Sequence, residues 1–125
     1  MKYLLFIALG GASGAVARYL VATWVHELWE GHVPVGTLLV NLVGSFAIGI
    51  FFVLIVEKQI IHQDWRSVLM VGFLGAFTTF STFSLESISL IESGHLLQAL
   101  GYMFMSVVFC VLAAGSAIYL TRLLT

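Results

Sequence analysis

Apolar residues fall into four long runs, at about residues 3–25, 35–56, 68–91 and 96–123. A hydrocarbon core about 30 Å thick takes roughly 20 mostly apolar residues in a helix, so each run predicts one membrane-crossing helix. The connections, at 26–34, 57–67 and 92–95, are too short for a soluble domain. The pattern predicts an all-α integral membrane protein, a single four-helix transmembrane domain spanning residues 1–125.

The first run also begins like a secretory signal. Lys2 precedes LLFIAL, and the small-residue stretch ALGGASGA follows. The apolar run continues through AVARYLVATWV, which predicts a span and not a cleaved leader. GGASGA echoes a glycine-rich nucleotide loop, but such a loop needs a strand–turn–helix within an α/β unit, and the pattern offers none.

Composition strengthens the membrane reading. The chain is 61% hydrophobic and 9% charged, against about 25% charged in soluble domains. A chain of 125 residues cannot hide that much apolar surface from water, because small domains have a high surface-to-volume ratio. The bilayer is therefore its expected surroundings. The net charge of −1 gives no basic field for nucleic acid. A lone cysteine, Cys110, makes no intrachain disulfide. Four spans put both termini and the middle connection on one side, with Lys2, Lys58, Arg66 and Arg122; the other side's loops carry no Lys or Arg. The positive-inside rule then predicts cytoplasmic termini.

Small residues mark where helices approach, since lipid gives them no hydrophobic reason to associate. Gly10 and Gly14 have GxxxG spacing, Ser45 and Gly49 are four apart, and Ser106, Cys110 and Ala114 form a stripe. Four thin helices barely enclose a path, which predicts an oligomer.

Polar residues inside the runs carry the candidate chemistry, because each needs a partner or water. Asn41, with Thr37 one turn before it, either bonds a neighbouring helix or lines a path. Arg18 must reach an interface, a carboxylate or a wet vestibule. Glu86, the only acid well inside the third run, suits a proton carrier, a cation partner or a buried hydrogen-bonding group. The most unusual segment is GAFTTFSTFS, residues 75–84. On an unbroken helix Phe73, Phe77, Phe80 and Phe83 would form one stripe. However, the intervening hydroxyls compete for backbone hydrogen bonds and Gly72 and Gly75 loosen the turns, which predicts a break near residues 75–79. At membrane depth irregular backbone survives only inside protein or beside a wet cavity. Freed carbonyls can hold a cation and freed amides can face an anion. Phenylalanine edges are positive, so ring edges, hydroxyls and an Asn amide can bind a small anion without trapping it.

GGASGAVARY, NLVGSFAIG and GFLGAFTTFSTFS together resemble the Fluc/CrcB family of small microbial fluoride channels, across all four spans. The resemblance implies an antiparallel, dual-topology homodimer with two fluoride pores, each lined by both subunits. Asn41, Phe80 and Phe83 match the family's pore residues. Ser81, Thr82, Thr37, Tyr102 and Ser106 match positions offering hydroxyls along the path. Gly75 and Thr78 match positions whose backbone carbonyls hold a structural Na⁺ at the dimer centre. Arg18 matches a first-span arginine that shapes a vestibule, and Glu86 the acid after the Phe motif. Cys110 stands where the track would carry a serine, and a thiol is a weaker donor.

The implied function is passive, fluoride-selective export of cytoplasmic fluoride across a bacterial plasma (inner) membrane, conferring fluoride resistance. A proton-coupled exporter of the small multidrug-resistance type is the alternative. Such exporters are also four-helix dimers, but they use a first-span glutamate, and here only Glu86 could stand in. A non-transporting helical subunit fits the intramembrane hydroxyls poorly. No nucleophile–base pair or metal-ligand cluster points to an enzyme.

Overall fold

A computed structural model of the chain describes residues 1–125. The chain forms α1 (Lys2–Leu28), α2 (Val35–Glu57), α3 (residues 66–77), α4 (Ser81–Glu92) and α5 (Leu96–Leu124). Four stretches, Lys2–Leu28, Val35–Glu57, Arg66–Glu92 and Leu96–Leu124, are helical and apolar enough to cross a membrane. They extend the four runs by one to three residues at most ends, because helices continue past the apolar window into interfacial side chains.

Local chemistry explains the helix ends. Pro34, the only proline, sits just ahead of α2, where a missing N–H costs nothing. Gly94 adopts φ +87° after α4, a conformation that favours glycine. Gly94 N donates to the Ile91 carbonyl, and His95 N donates to the Leu90 carbonyl at 2.8 Å. This Schellman-type closure turns the chain sharply into α5. Two stretches, Phe52–Glu57 and Arg66–Leu74, are wound in wide i→i+5 turns. Lys58 N reaching the Val53 carbonyl at 2.8 Å is one such bond. Wide turns of this kind are rare and recur at functional sites.

The tightest packing lies between α1 and α3. Gly10 is so close to α3 that an added Cβ would strike the Val68 carbonyl oxygen, and one on Gly14 would strike the Phe73 carbonyl. A Cβ on Gly72 would come within 2.8 Å of the Ile7 carbonyl. The backbones therefore touch, as a small-residue seam in lipid requires. A second seam joins α2 to α5, where a Cβ on Gly49 would lie 2.6 Å from the Ala114 carbonyl.

Two apolar clusters fill the interior. Val40, Leu74 and Phe77 pack with Ala17, Val21 and Phe73, while Phe83, Leu90, Ala99 and Tyr102 pack with Val33 and Met103. Only 21 of the 125 residues are buried, and Leu4, Leu9, Trp24, Phe104 and Leu112 face outward. Such a surface is stable only against lipid or another apolar surface.

One face carries most of the ion pairs. Arg122 donates to both carboxylate oxygens of Glu57, at 2.8 and 2.7 Å. Lys2 Nζ donates to Asp64 at 3.1 Å, and this hydrogen bond holds the Asp64 carboxyl below the usual carboxylate range. These pairs tie both ends of the chain to the middle connection, as an even number of spans requires.

Candidate functional site

The site is built around the join between α3 and α4. Helical bonding ends at Phe77 and resumes at Ser81. Thr78 is extended, with φ −82° and ψ 156°, while Gly75 remains helical at φ −60°, ψ −35°. The non-helical residues are therefore 78–80, and the glycine precedes them. Thr78 still donates twice to the Leu74 carbonyl, from its N–H and its hydroxyl.

Asn41 on α2 clasps this segment. Its amide nitrogen donates to the Thr79 carbonyl at 2.9 Å, and its amide oxygen accepts from Thr79 N at 2.8 Å. The side chain acts as a surrogate peptide, satisfying both backbone groups of a buried residue. One Asn41 N–H is left over, since the amide has two donors. Thr79 also restarts the chain's helical course, because its hydroxyl accepts from Thr82 N at 3.2 Å. Gly44 makes the close approach possible: a Cβ there would strike the Thr78 methyl group.

These bonds divert the donors that two carbonyls would have had in an unbroken helix. Thr79 N, four residues after Gly75, goes to Asn41, and Thr82 N, four residues after Thr78, goes to Thr79 Oγ1. The Gly75 and Thr78 carbonyl oxygens thus receive no backbone N–H. Freed carbonyl oxygens are the kind of donor a Na⁺ ion takes where membrane helices are interrupted, and the Ala76 and Phe77 carbonyls are likewise left without a backbone N–H.

Beyond the join, Phe80 and Phe83 stand with centroids 5.4 Å apart, and Phe83 meets Tyr102 at 5.2 Å. Phe73 and Phe77 form a separate stack at 5.7 Å. The four rings do not make the single stripe of an unbroken helix, because residues 78–80 turn the second pair away from the first. Phe83 is 9% exposed but Phe80 is 77% exposed, so the Phe80 ring projects outward from the fold.

Three cavities lie side by side and share lining residues. One of about 390 Å³ is lined by Asn41, Thr79, Phe80, Phe83, Ser106 and Cys110, among others. A second, of about 260 Å³, shares Thr79 with it and adds Arg18, Thr37, Thr82 and Glu86. A third, of about 280 Å³, shares Thr37 and Glu86 with the second and reaches His26, Trp29 and Pro34. In sequence these residues belong to all four spans, and the fold strings them into one polar series.

Glu86 lies at the centre of that series. Thr37 donates to one of its oxygens at 2.8 Å and Tyr102 to the other at 3.0 Å. Thr37 therefore bonds across to α4 instead of back to its own helix, and Glu86 is a hydrogen-bonded interior group. Arg18 faces the same cavity but makes no ion pair with Glu86. Ser106 Oγ is buried with no partner. A hydroxyl shut away from water without a hydrogen bond is costly. Ser81 is exposed, its hydroxyl 3.5 Å from that of Thr79.

Thr79 and Gly44 also shape the site, with little to mark them in the sequence. The Thr79–Thr82 spacing is a helix-capping signal that lay within the hydroxyl-rich motif. Nothing in the sequence pairs Gly44 with Thr78, because that contact depends on how α2 crosses the join.

These features define a small integral membrane protein whose interior carries a series of hydroxyls, ring edges and freed backbone groups. The chain belongs to the CrcB family: residues 5–118 match the family described as CrcB-like protein, Camphor Resistance (CrcB). It is 54% identical over 124 residues to the fluoride-specific ion channel FluC of Hahella chejuensis, covering 99% of this chain and 98% of that protein. The FluC of Saccharophagus degradans is 51% identical over 119 residues, 94% of this chain and 88% of the relative. That of Alteromonas mediterranea is 46% identical over 117 residues, 94% and 92% respectively. The relatives are named as ion channels and not as enzymes.

Proposed function

We propose that the chain is the subunit of a passive, fluoride-selective channel that exports cytoplasmic fluoride from bacteria and so confers fluoride resistance. The names of relatives that match nearly the whole chain support this reading. The observation that carries it is the cavity lined together by Asn41, Phe80, Phe83 and Ser106, a residue whose buried hydroxyl has no partner within the chain. It offers hydrogen-bond donors and ring edges with no fixed cation beside them. A small, strongly hydrated anion needs such a replacement shell, and release stays easy because no full positive charge holds it.

Fluoride enters cells as neutral HF in acid surroundings and ionises inside. A membrane potential negative inside then drives the anion out through any selective pore, without ATP or a coupled ion. Along the series, Ser81, Thr82, Thr37, Tyr102 and Ser106 supply hydroxyls, Arg18 makes a vestibule attractive to anions, and Glu86 orients Thr37 and Tyr102.

In this reading the working unit is an antiparallel, dual-topology homodimer in the bacterial inner membrane. The exposed Phe80 ring and the outward apolar faces support a partner surface. The four basic residues on one side favour one orientation, and the charge rule is statistical. A structural Na⁺ at the dimer centre would be held by the Gly75 and Thr78 carbonyls. It would supply fixed charge at the join and hold the two non-helical segments in register.

The test is efflux from liposomes carrying the purified protein. Fluoride is expected to leave far faster than chloride, at a rate set by the potential and unaffected by a proton gradient. Equal rates for the two anions would remove the selectivity claim. Flux that follows the proton gradient would favour an exporter working through Glu86.

A further inference from the structure

We infer that His32 and His95 form a two-imidazole site for a borderline transition cation such as Zn²⁺, joining the two connections at one membrane face. Neither residue belongs to the anion series. His32 lies in the connection between α1 and α2, and His95 in the connection between α4 and α5. Their rings stack with centroids 4.1 Å apart and planes at 29°. An imidazole that binds a metal needs a free ring-nitrogen lone pair.

The hydrogen bonds around His95 leave such a lone pair. Ser93 Oγ lies 3.1 Å from the Leu90 carbonyl and 2.9 Å from His95 Nδ1. A hydroxyl has one proton, and the carbonyl can only accept. Ser93 therefore donates to Leu90 and accepts from His95 Nδ1–H. In the neutral ring this places the free lone pair on Nε2. Metal-binding histidines characteristically donate their second ring N–H to an oxygen, which fixes the ring and raises its basicity. The Schellman-type closure at Gly94 holds His95 in place through its own N–H.

The geometry is within reach of a shared ion. Two nitrogens each about 2.0–2.1 Å from a tetrahedral ion lie about 3.4 Å from one another; the stacked rings, 4.1 Å apart, point their in-plane lone pairs alongside one another, so capture of an ion swings the exposed His32 ring out of the stack until its lone pair converges with that of His95. Imidazole ligands suit Zn²⁺, Ni²⁺ and Cu²⁺, whereas Na⁺, Mg²⁺ and Ca²⁺ prefer oxygen. With two protein ligands, water completes the shell. The site would act as a clasp: Trp29, Val33 and Pro34, on either side of His32, line the cavity that leads to Glu86, so an ion bridging the histidines would fix that rim.

The test is Zn²⁺ titration of the tag-free protein in detergent, by calorimetry, with every variant first checked for a single dispersed species. Wild type is expected to bind one Zn²⁺ per chain. His32→Gln and His95→Gln should each weaken binding at least tenfold. Ser93→Ala keeps both ligands and frees the His95 ring, and should weaken binding by about 10- to 100-fold. Mg²⁺ should not compete. No saturable Zn²⁺ binding by wild type would overturn the proposal. So would binding that either histidine variant leaves unchanged, or that is lost instead in His62→Gln on the opposite face.

Discussion

The α1–α3 seam and the α3–α4 join lie a few residues apart in the chain and are built on opposite principles. The seam is glycine against backbone, with no side-chain hydrogen bond between the two helices and no free space. The join is held by directed hydrogen bonds from Asn41 and Thr79, with cavities on either side. In lipid, close packing is what holds helices together, whereas irregular backbone needs polar partners to exist at all. The seam therefore provides a rigid support, and the join uses that rigidity to keep polar groups facing open space.

Substitutions should separate the two. The largest effect is expected from Gly14→Leu, which drives a side chain into the Phe73 backbone. Overpacking alone typically costs about 1–3 kcal/mol, and backbone cannot yield as a side chain can. The variant should be lost from the dispersed peak in size-exclusion chromatography. Normal assembly of Gly14→Leu would mean that the seam is not the support.

Asn41→Leu should come next. It leaves Thr79 N–H and C=O unpaired, each costing about 1–3 kcal/mol. The variant should assemble with a clearly lower melting temperature and conduct little fluoride. Asn41→Asp keeps the acceptor for Thr79 N but loses the donor to its carbonyl, so it should fall between the two. If Asn41→Leu melted like wild type, the clasp would be unimportant.

Ser106→Ala should affect stability least. The hydroxyl has no partner, so removing it breaks no hydrogen bond within the chain and should leave the melting temperature unchanged or slightly higher. Fluoride flux should nevertheless fall severalfold. A drop in stability with normal flux would show that this hydroxyl bonds protein and not the ion.

The contrast also marks what the sequence could reveal. The four spans were readable because length and hydropathy alone decide them, and GxxxG spacing pointed to α1 as a packing helix. Polar residues inside the runs were conspicuous for the same reason. Their partners were not readable. Asn41 could be seen to need one, but that it would meet both backbone groups of Thr79 depends on how α2 crosses residues 78–80. The Thr37–Glu86–Tyr102 link draws on three spans, and the unpartnered state of Ser106 reflects what surrounds it. Periodicity describes one helix at a time, whereas these contacts arise between helices.

The most direct measurement of the account is fluoride efflux from proteoliposomes, with wild type beside Phe80→Ile and Phe83→Ile. Isoleucine keeps the apolar bulk near that of the ring but removes its positive edge. Both variants are expected to assemble normally and release fluoride at least tenfold more slowly. Normal fluoride efflux from both variants would contradict it, because the rings would then be packing and not part of the anion's path.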